Sequence, residues 1–216
     1  SVRRQRQMCI RDRSNPDVPV LDPTLLEDVS EGIEILTTPI FEPSRLLRKI
    51  SGKSGSERLG ADGGDKKQGL LSLISLWIRG NFFIPDARVR WVKPSVKFLS
   101  KWLGENHVDA IITTGPPHSI HLIGLGLKKK NSKLKWVADF RDPWSDMDYL
   151  DDFKMGEKAR KKMAKMESEV TSNADRLIVT SRSAEDKLVE GKNKICLLIP
   201  NGWDAADFPK SIPSKE

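Results

Sequence analysis

From residue 70 onward, apolar and polar positions follow a rhythm of helices and strands. In LLSLISLWIRGNFFIP the apolar residues at 70, 71, 73, 74, 76, 77 and 78 predict a short helix, buried or surface-seeking. Residues 85–106, PDARVRWVKPSVKFLSKWLGEN, place Val89, Val92, Val96, Leu99 and Leu103 at steps of three or four. That spacing predicts an amphipathic helix with Pro94 as a kink or a break. Its other face carries Arg88, Arg90, Lys93, Lys97 and Lys101.

The order then becomes regular. VDAIITT (108–114), LKWVADF (134–140), DRLIVTS (175–181) and ICLLIP (195–200) read as strands. HSIHLIGLGLKKK (118–130), KMGEKARKKMAKMESEVTSNA (154–174) and SAEDKLVEG (183–191) read as the helices between them. In the second, Ala159, Met163, Met166 and Val170 share a face and Glu157 stands four before Lys161, the spacing of a supporting ion pair. In the third, Ser183 is the expected N-cap and Gly191 the stop. Apolar strands alternating with helices predict an α/β fold, a Rossmann-like doubly wound parallel sheet covered on both faces.

Upstream the pattern is weaker. GIEILTTP (32–39) reads as a strand from its β-branched residues, and SGKSGSERLGADGGDKKQG (51–69) as a flexible loop. The chain has 216 residues and 38% hydrophobic content, enough for one main domain, taken as 15–200. No run of about 18 apolar residues predicts a membrane-spanning helix, and no signal-peptide pattern opens the chain. A cytoplasmic protein is expected.

The net charge of +7 raises the question of phosphate-rich partners. Residues 1–14 alone hold five arginines against Asp12, leaving only a modest excess elsewhere. Within that arm, RRQRQMCIRDR (3–13) resembles a conceptual translation of the transposon-end adapter of sequencing libraries, so the arm is expected to be non-native. Nucleic acid is then not an expected partner. With Cys9 set aside, Cys196 in KICLLIP is expected as a buried structural thiol, without redox or metal chemistry.

Parallel α/β sheets bind ligands at the carboxyl ends of their strands, where loops lead into helix N-termini. TTGPPHS, DFRDPWSD and NGWD fall there. Gly115 permits a tight reversal that Pro116 and Pro117 stiffen, and the next helix starts near His118 or Ser119. His118, at the loop–helix junction, is the expected ligand-facing histidine; His121, one turn on, is expected to pack. Arg141 suits bidentate contact with phosphate or carboxylate. Asp139 and Asp142 suit acceptance of hydroxyl protons, and Trp144 offers a sugar-stacking face. An internal Arg–Asp salt bridge closing the loop is the equally weighted alternative. P-loop, G-x-G-x-x-G, G-x-S-x-G, H-E-x-x-H and paired-cysteine motifs are absent, which disfavours a kinase, a dehydrogenase, a serine hydrolase or a zinc enzyme.

FFIPDARVRWVKPSVKFL, VDAIITTGPPHSIHLIGLGLKKK, KWVADFRDPWSD, NADRLIVTS and IPNGWDAADF, in that order, resemble the N-terminal domain of bacterial GT-B glycosyltransferases of the family 4 type. The resemblance covers residues 15 to about 209. It implies half of a GT-B fold, in an enzyme that transfers a sugar from a nucleotide-sugar donor to a sugar or lipid-linked hydroxyl acceptor in polysaccharide or glycolipid synthesis. The resemblance implies no cofactor and no metal. It also implies Asp139, Arg141 and Asp142 as catalytic residues, and Gly115, Pro116, His118, Ser119, Trp144, Asn201 and Gly202 as substrate-binding residues. Many relatives carry a donor-contacting histidine where Arg141 stands here, which would exchange proton transfer for charge stabilisation. Residues 201–216 would open the linker to a donor domain. The family's glycine-rich opening segment has no counterpart here, so a piece truncated at both ends and inactive by itself is implied. Peripheral contact with the inner membrane face through helix 85–105 is a further expectation. The rival reading is a non-catalytic α/β module that holds nucleic acid or an anionic membrane through its basic face; another GT-B enzyme, such as a sugar-nucleotide epimerase, is weaker because nothing in it requires this motif order.

Overall fold

A computed structural model of the chain describes residues 36–37, 70–145, 147 and 150–202. The expected arm, the loop over 51–69 and all of the linker beyond Gly202 lie outside the described residues. Of the strand expected over 32–39, only residues 36–37 are described, and neither is in a strand.

The protein is α/β, with a four-stranded, all-parallel sheet flanked by helices, consistent with a Rossmann-like doubly wound fold. The elements run α1 (Leu70–Phe82), a 3-10 turn (Val89–Trp91), α2 (Val92–Glu105), β1 (Ala110–Gly115), α3 (Ser119–Lys130), β2 (Lys135–Phe140), α4 (Glu157–Asn173), β3 (Arg176–Val179), α5 (Arg182–Val189) and β4 (Cys196–Leu198). The sheet order is β1-β2-β3-β4, so each strand lies beside its successor and each connection is a helical crossover. Register aligns Thr114 with Asp139 and Phe140 with Val179, which brings the strand ends into one row.

Side chains alternate between the two faces of each strand. On one face Trp136, Ala138, Phe140, Leu177 and Val179 pack against Leu125 of α3, Val170 of α4, and Ala184 and Leu188 of α5, forming the main core. The opposite face carries Ile112 and Leu197, 66% and 47% exposed, and among the described residues it has no comparable core cluster. The helical cover expected on both faces is therefore seen on one, within the described residues.

A second cluster sits between α2 and α3, where Trp91, Ile123, Leu127 and Leu134 meet Val92, Val96, Leu99 and Leu103. Close approach here depends on glycine: a Cβ on Gly126 would lie 2.6 Å from Val96 Cγ2, and one on Gly124 would lie 2.5 Å from the Trp136 ring. Those two contacts explain the small residues in GLGL better than any ligand does. A third cluster joins Ile84, Leu150 and Met155 to Ala159 and Met163 of α4.

Two local expectations are corrected. Pro94 neither kinks nor breaks a helix, because α2 begins only at Val92 and Pro94 falls in its first turn, where a backbone N–H would have no helical partner. The N-cap of α5 is Ser181, not Ser183: its Oγ accepts from Ala184 N at 3.2 Å, since β3 ends at Val179 and the chain turns sooner than expected. Gly191 does end this segment, with φ of +68°, and Glu157 pairs with Lys161 at 2.5 Å. Cys196 is half-buried and free, and burial raises its thiol pKa, which keeps it un-ionised.

Candidate functional site

The loops after β1, β2 and β4 converge at the carboxyl edge of the sheet. After β1 the chain passes through Gly115, Pro116 and Pro117 with cis bonds before both prolines, and α3 starts at Ser119. Gly115 is required by its neighbour: a Cβ there would lie 2.7 Å from Nε2 of His121. Pro116 is exposed, whereas His118 and Ser119 are enclosed.

The helix N-terminus is not free. Asp86, from the segment between α1 and α2, accepts the Ser119 N–H on Oδ2 at 2.7 Å and the Arg88 N–H on Oδ1 at 2.8 Å. A carboxylate of the protein itself thus takes the place that an anionic ligand was expected to use. Nothing in the local sequence pattern singles out Asp86, which reaches this helix from 33 residues away.

His118 and His121 differ sharply. His121 is fully enclosed, stacks on Phe140 with ring centroids 4.5 Å apart, and lies 2.9 Å from Thr113 Oγ1 through Nδ1. Thr113 Oγ1 accepts from the Trp136 indole N–H at 2.9 Å, so its own hydrogen is available to Nδ1. Burial, with His118 adding to it, lowers the His121 pKa to about 3. His121 is a neutral packing residue, as its position one turn into the helix suggests.

His118 lies against Trp144, with ring centroids 5.4 Å apart. Burial lowers its pKa too, but the carboxylates of Asp86 and Asp142 pull the other way. Its Nδ1, the Oγ of Ser119, the Nε2 of His121 and the Nε1 of Trp144 are buried without a hydrogen-bond partner. Buried polar atoms are normally satisfied, so four in one neighbourhood set this edge apart from the rest of the core.

The stacking role expected of Trp144 is corrected. Its ring is fully enclosed among His118, His121 and Phe140 and presents no face to a sugar. The reason is Glu167 of α4, a buried carboxylate that accepts from Trp144 N at 2.7 Å and from the hydroxyl of Ser145. Glu167 pulls the RDPWS loop down onto the helices, so Trp144 backs His118. In the sequence Glu167 carries one signal, an acid at the apolar face of α4, four residues after Met163.

Asp139, at the end of β2, is half-buried, and burial raises its pKa against the opposing influence of Arg141 and a hydrogen bond with Thr114. Arg141 extends its guanidinium to Asn201 after β4, with Nη2 to Oδ1 at 3.4 Å, and its carbonyl accepts from Thr180 Oγ1 at 2.8 Å. Asn201 and Gly202 are exposed at the rim. The structure therefore joins Thr114, Asp139, Arg141 and Asn201 from three strand ends, and sets His118, Ser119 and Trp144 beneath as a buried wall. Asp142 is half-buried and acts on His118 electrostatically. No ion pair closes the loop between Arg141 and Asp142 among the described residues.

Among those residues no group of three or more histidines, cysteines or carboxylates is arranged to hold a metal ion, and no helix is long and apolar enough to cross a membrane. A cleft of about 260 Å³ between α2, α3 and β1 is lined by Trp91, Leu99, Trp102 and Ile111 and carries no charged group, so it is not the polar site. No protein-family model, no curated protein and no solved structure matches the chain.

Proposed function

We propose that the chain is the acceptor-side half of a GT-B glycosyltransferase of the family 4 type. It works on the cytoplasmic side with a nucleotide-sugar donor and a sugar or lipid-linked acceptor. One observation carries the reading: a carboxylate of raised pKa, a guanidinium and an amide, from Asp139, Arg141 and Asn201, meet where parallel α/β sheets bind ligands. In this role Arg141 bears on the negative charge of the transferring phosphate, and Asp139 accepts a hydrogen bond from an acceptor hydroxyl. Asp142 sets the electrostatic environment of His118, which with Ser119 forms the buried wall behind the acceptor side. Pro116, Gly115 and Gly202 shape the loops around them. No cofactor or metal is assigned.

The test is transfer from a panel of nucleotide sugars by a protein in which these residues continue into a donor-binding domain. Arg141→Ala should lower kcat by on the order of a hundredfold, the loss typical of a preorganised charge donor. A folded variant with near-normal turnover would make Arg141 a structural link to Asn201 and would overturn its assigned role.

A further inference from the structure

The four strands bury their two faces unequally. Register sets Ile112 beside Val137 and Ile178 beside Leu197 on the face turned away from α3, α4 and α5. Ile195 and Ile199 share that side, because the ladder between β3 and β4 carries on to both and side chains alternate along the strand. Ile112, Ile195, Leu197 and Ile199 are 66%, 53%, 47% and 52% exposed, with the half-buried Val137 and Ile178 between them. Single exposed aliphatic residues need no explanation, but a band that crosses all four strands of a parallel sheet does, since such sheets have both faces under cover.

Charge on this open face is one-sided. Lys135 and Arg176, both exposed, stand at its amino end on neighbouring strands, two residues apart in register. Among the described strand residues of the face the one carboxylate is Asp139 at the opposite end, and Arg141 already favours its charged form. The matching composition lies upstream in the same chain. Residues 15–44 hold seven carboxylates and no lysine or arginine, interspersed with aliphatic residues such as Leu21, Leu25, Leu26 and Ile33, in a chain whose basic residues otherwise outnumber its acids.

We propose that the acidic, aliphatic stretch 15–44 of this chain docks on the open face of the sheet, its carboxylates toward Lys135 and Arg176 and its aliphatic side chains over Ile112, Leu197 and their neighbours. Reach allows it: strands lie about 4.8 Å apart and an extended chain covers about 3.3 Å per residue, so residues 45–69 can lead from α1 around an edge of the sheet. A second copy fits less well, because two open faces brought together would offer each basic end only an Asp139 that Arg141 already attends. Nucleic acid would use Lys135 and Arg176 but has no use for an aliphatic band. The proposal goes beyond the transferase reading and stands without it, since it concerns the middle and the amino end of the face and not the site at the carboxyl edge.

The experiment is the rate at which a maleimide labels a cysteine placed on the face, Ile112→Cys or Leu197→Cys, in the full 216-residue chain with Cys9→Ser and Cys196→Ala. Both labelled positions are exposed in the described body, so an uncovered face reacts as fast as a free thiol. Docking should slow labelling by at least about tenfold, because the reagent must wait for the segment to leave. Glu27→Lys, Asp28→Lys, Glu31→Lys and Glu34→Lys together should restore the fast rate, since like charges set against each other are strongly disfavoured. Lys135→Glu with Arg176→Glu should do the same, and the two sets combined should slow labelling again. The four upstream substitutions lie outside the described body, so they decide the matter even if the variant at the sheet misfolds. Fast labelling in the chain without charge reversals overturns the proposal. So does slow labelling that the upstream reversals leave unchanged, or slow labelling that becomes fast on dilution, which would make the cover a second copy.

Discussion

The two edges of the sheet treat polar groups in opposite ways. At the amino edge Asp175 accepts from Lys128 Nζ at 2.8 Å and from the Trp136 N–H at 2.8 Å, and Lys194 donates to the Ala174 carbonyl at 2.6 Å. Each group there meets a partner within the protein. At the carboxyl edge His118 Nδ1, Ser119 Oγ and Trp144 Nε1 are buried and unpaired, and Asp139 sits with a raised pKa beside Arg141. Both edges are built from the same strands and the same crossover helices. One holds the fold together, and the other keeps hydrogen-bonding capacity that the fold does not consume.

Acidification should separate the two edges most strongly. His121, and His118 with it, have pKa values lowered by burial, so the unfolded chain binds protons that the folded chain refuses. Their contribution is complete above the usual histidine value of 6.5 and is lost as pH falls below it, by up to about 1.4 kcal/mol per pH unit for each. Asp175 behaves in the opposite range. Burial would raise its pKa, but the hydrogen bonds from Lys128 and Trp136 outweigh that and lower it, so its stabilisation persists until pH falls through that lowered value. Between pH 6.5 and pH 4, amide exchange should therefore rise first around 119–122 and 144–145, with the amides of 136 and 175–177 protected longer. Simultaneous loss at both edges would remove the distinction.

Single substitutions probe it at neutral pH. Asp175→Ala leaves the Trp136 N–H without its acceptor and Lys128 without its carboxylate, and should cost about 1–3 kcal/mol in chemical denaturation. Ser119→Ala is the smaller counterpart: removing a buried hydroxyl that has no partner should change stability by less than about 0.5 kcal/mol, or raise it slightly. A Ser119→Ala cost as large as that of Asp175→Ala would mean that the hydroxyl is satisfied within the fold.

Much of this architecture is legible in the sequence because burial imposes period. The end of β2 at Phe140 and the α4 face of Ala159, Met163 and Val170 follow from apolar spacing, β1 runs one residue past the expected end at Thr114, and the start of α3 at Ser119 follows from the Gly-Pro-Pro turn before it. The packing role of His121 is legible from its place one turn into the helix, whereas the burial of His118, 6% exposed, is not. What escapes the sequence is long-range and polar. Asp86 and Glu167 act on α3 and on the RDPWS loop from 33 and 23 residues away, and neither stands out from the amphipathic stretch that carries it. Trp144 escapes for the same reason: whether an aromatic in a loop faces outward depends on what anchors the loop, here Glu167. Ser181 and Ser183 flank one arginine, and only the point at which β3 ends decides which of them caps α5.

The most direct test of the carboxyl edge as the ligand-facing edge is amide chemical-shift mapping on this chain, titrated with nucleotide sugars and with mono- and oligosaccharide acceptors. Shifts should gather at 113–119, 139–145 and 199–202, and Arg141→Ala should abolish them without altering the spectrum around Asp175. Shifts centred on 128, 134–136 and 174–176, or saccharide shifts that survive unchanged in Arg141→Ala, would contradict it.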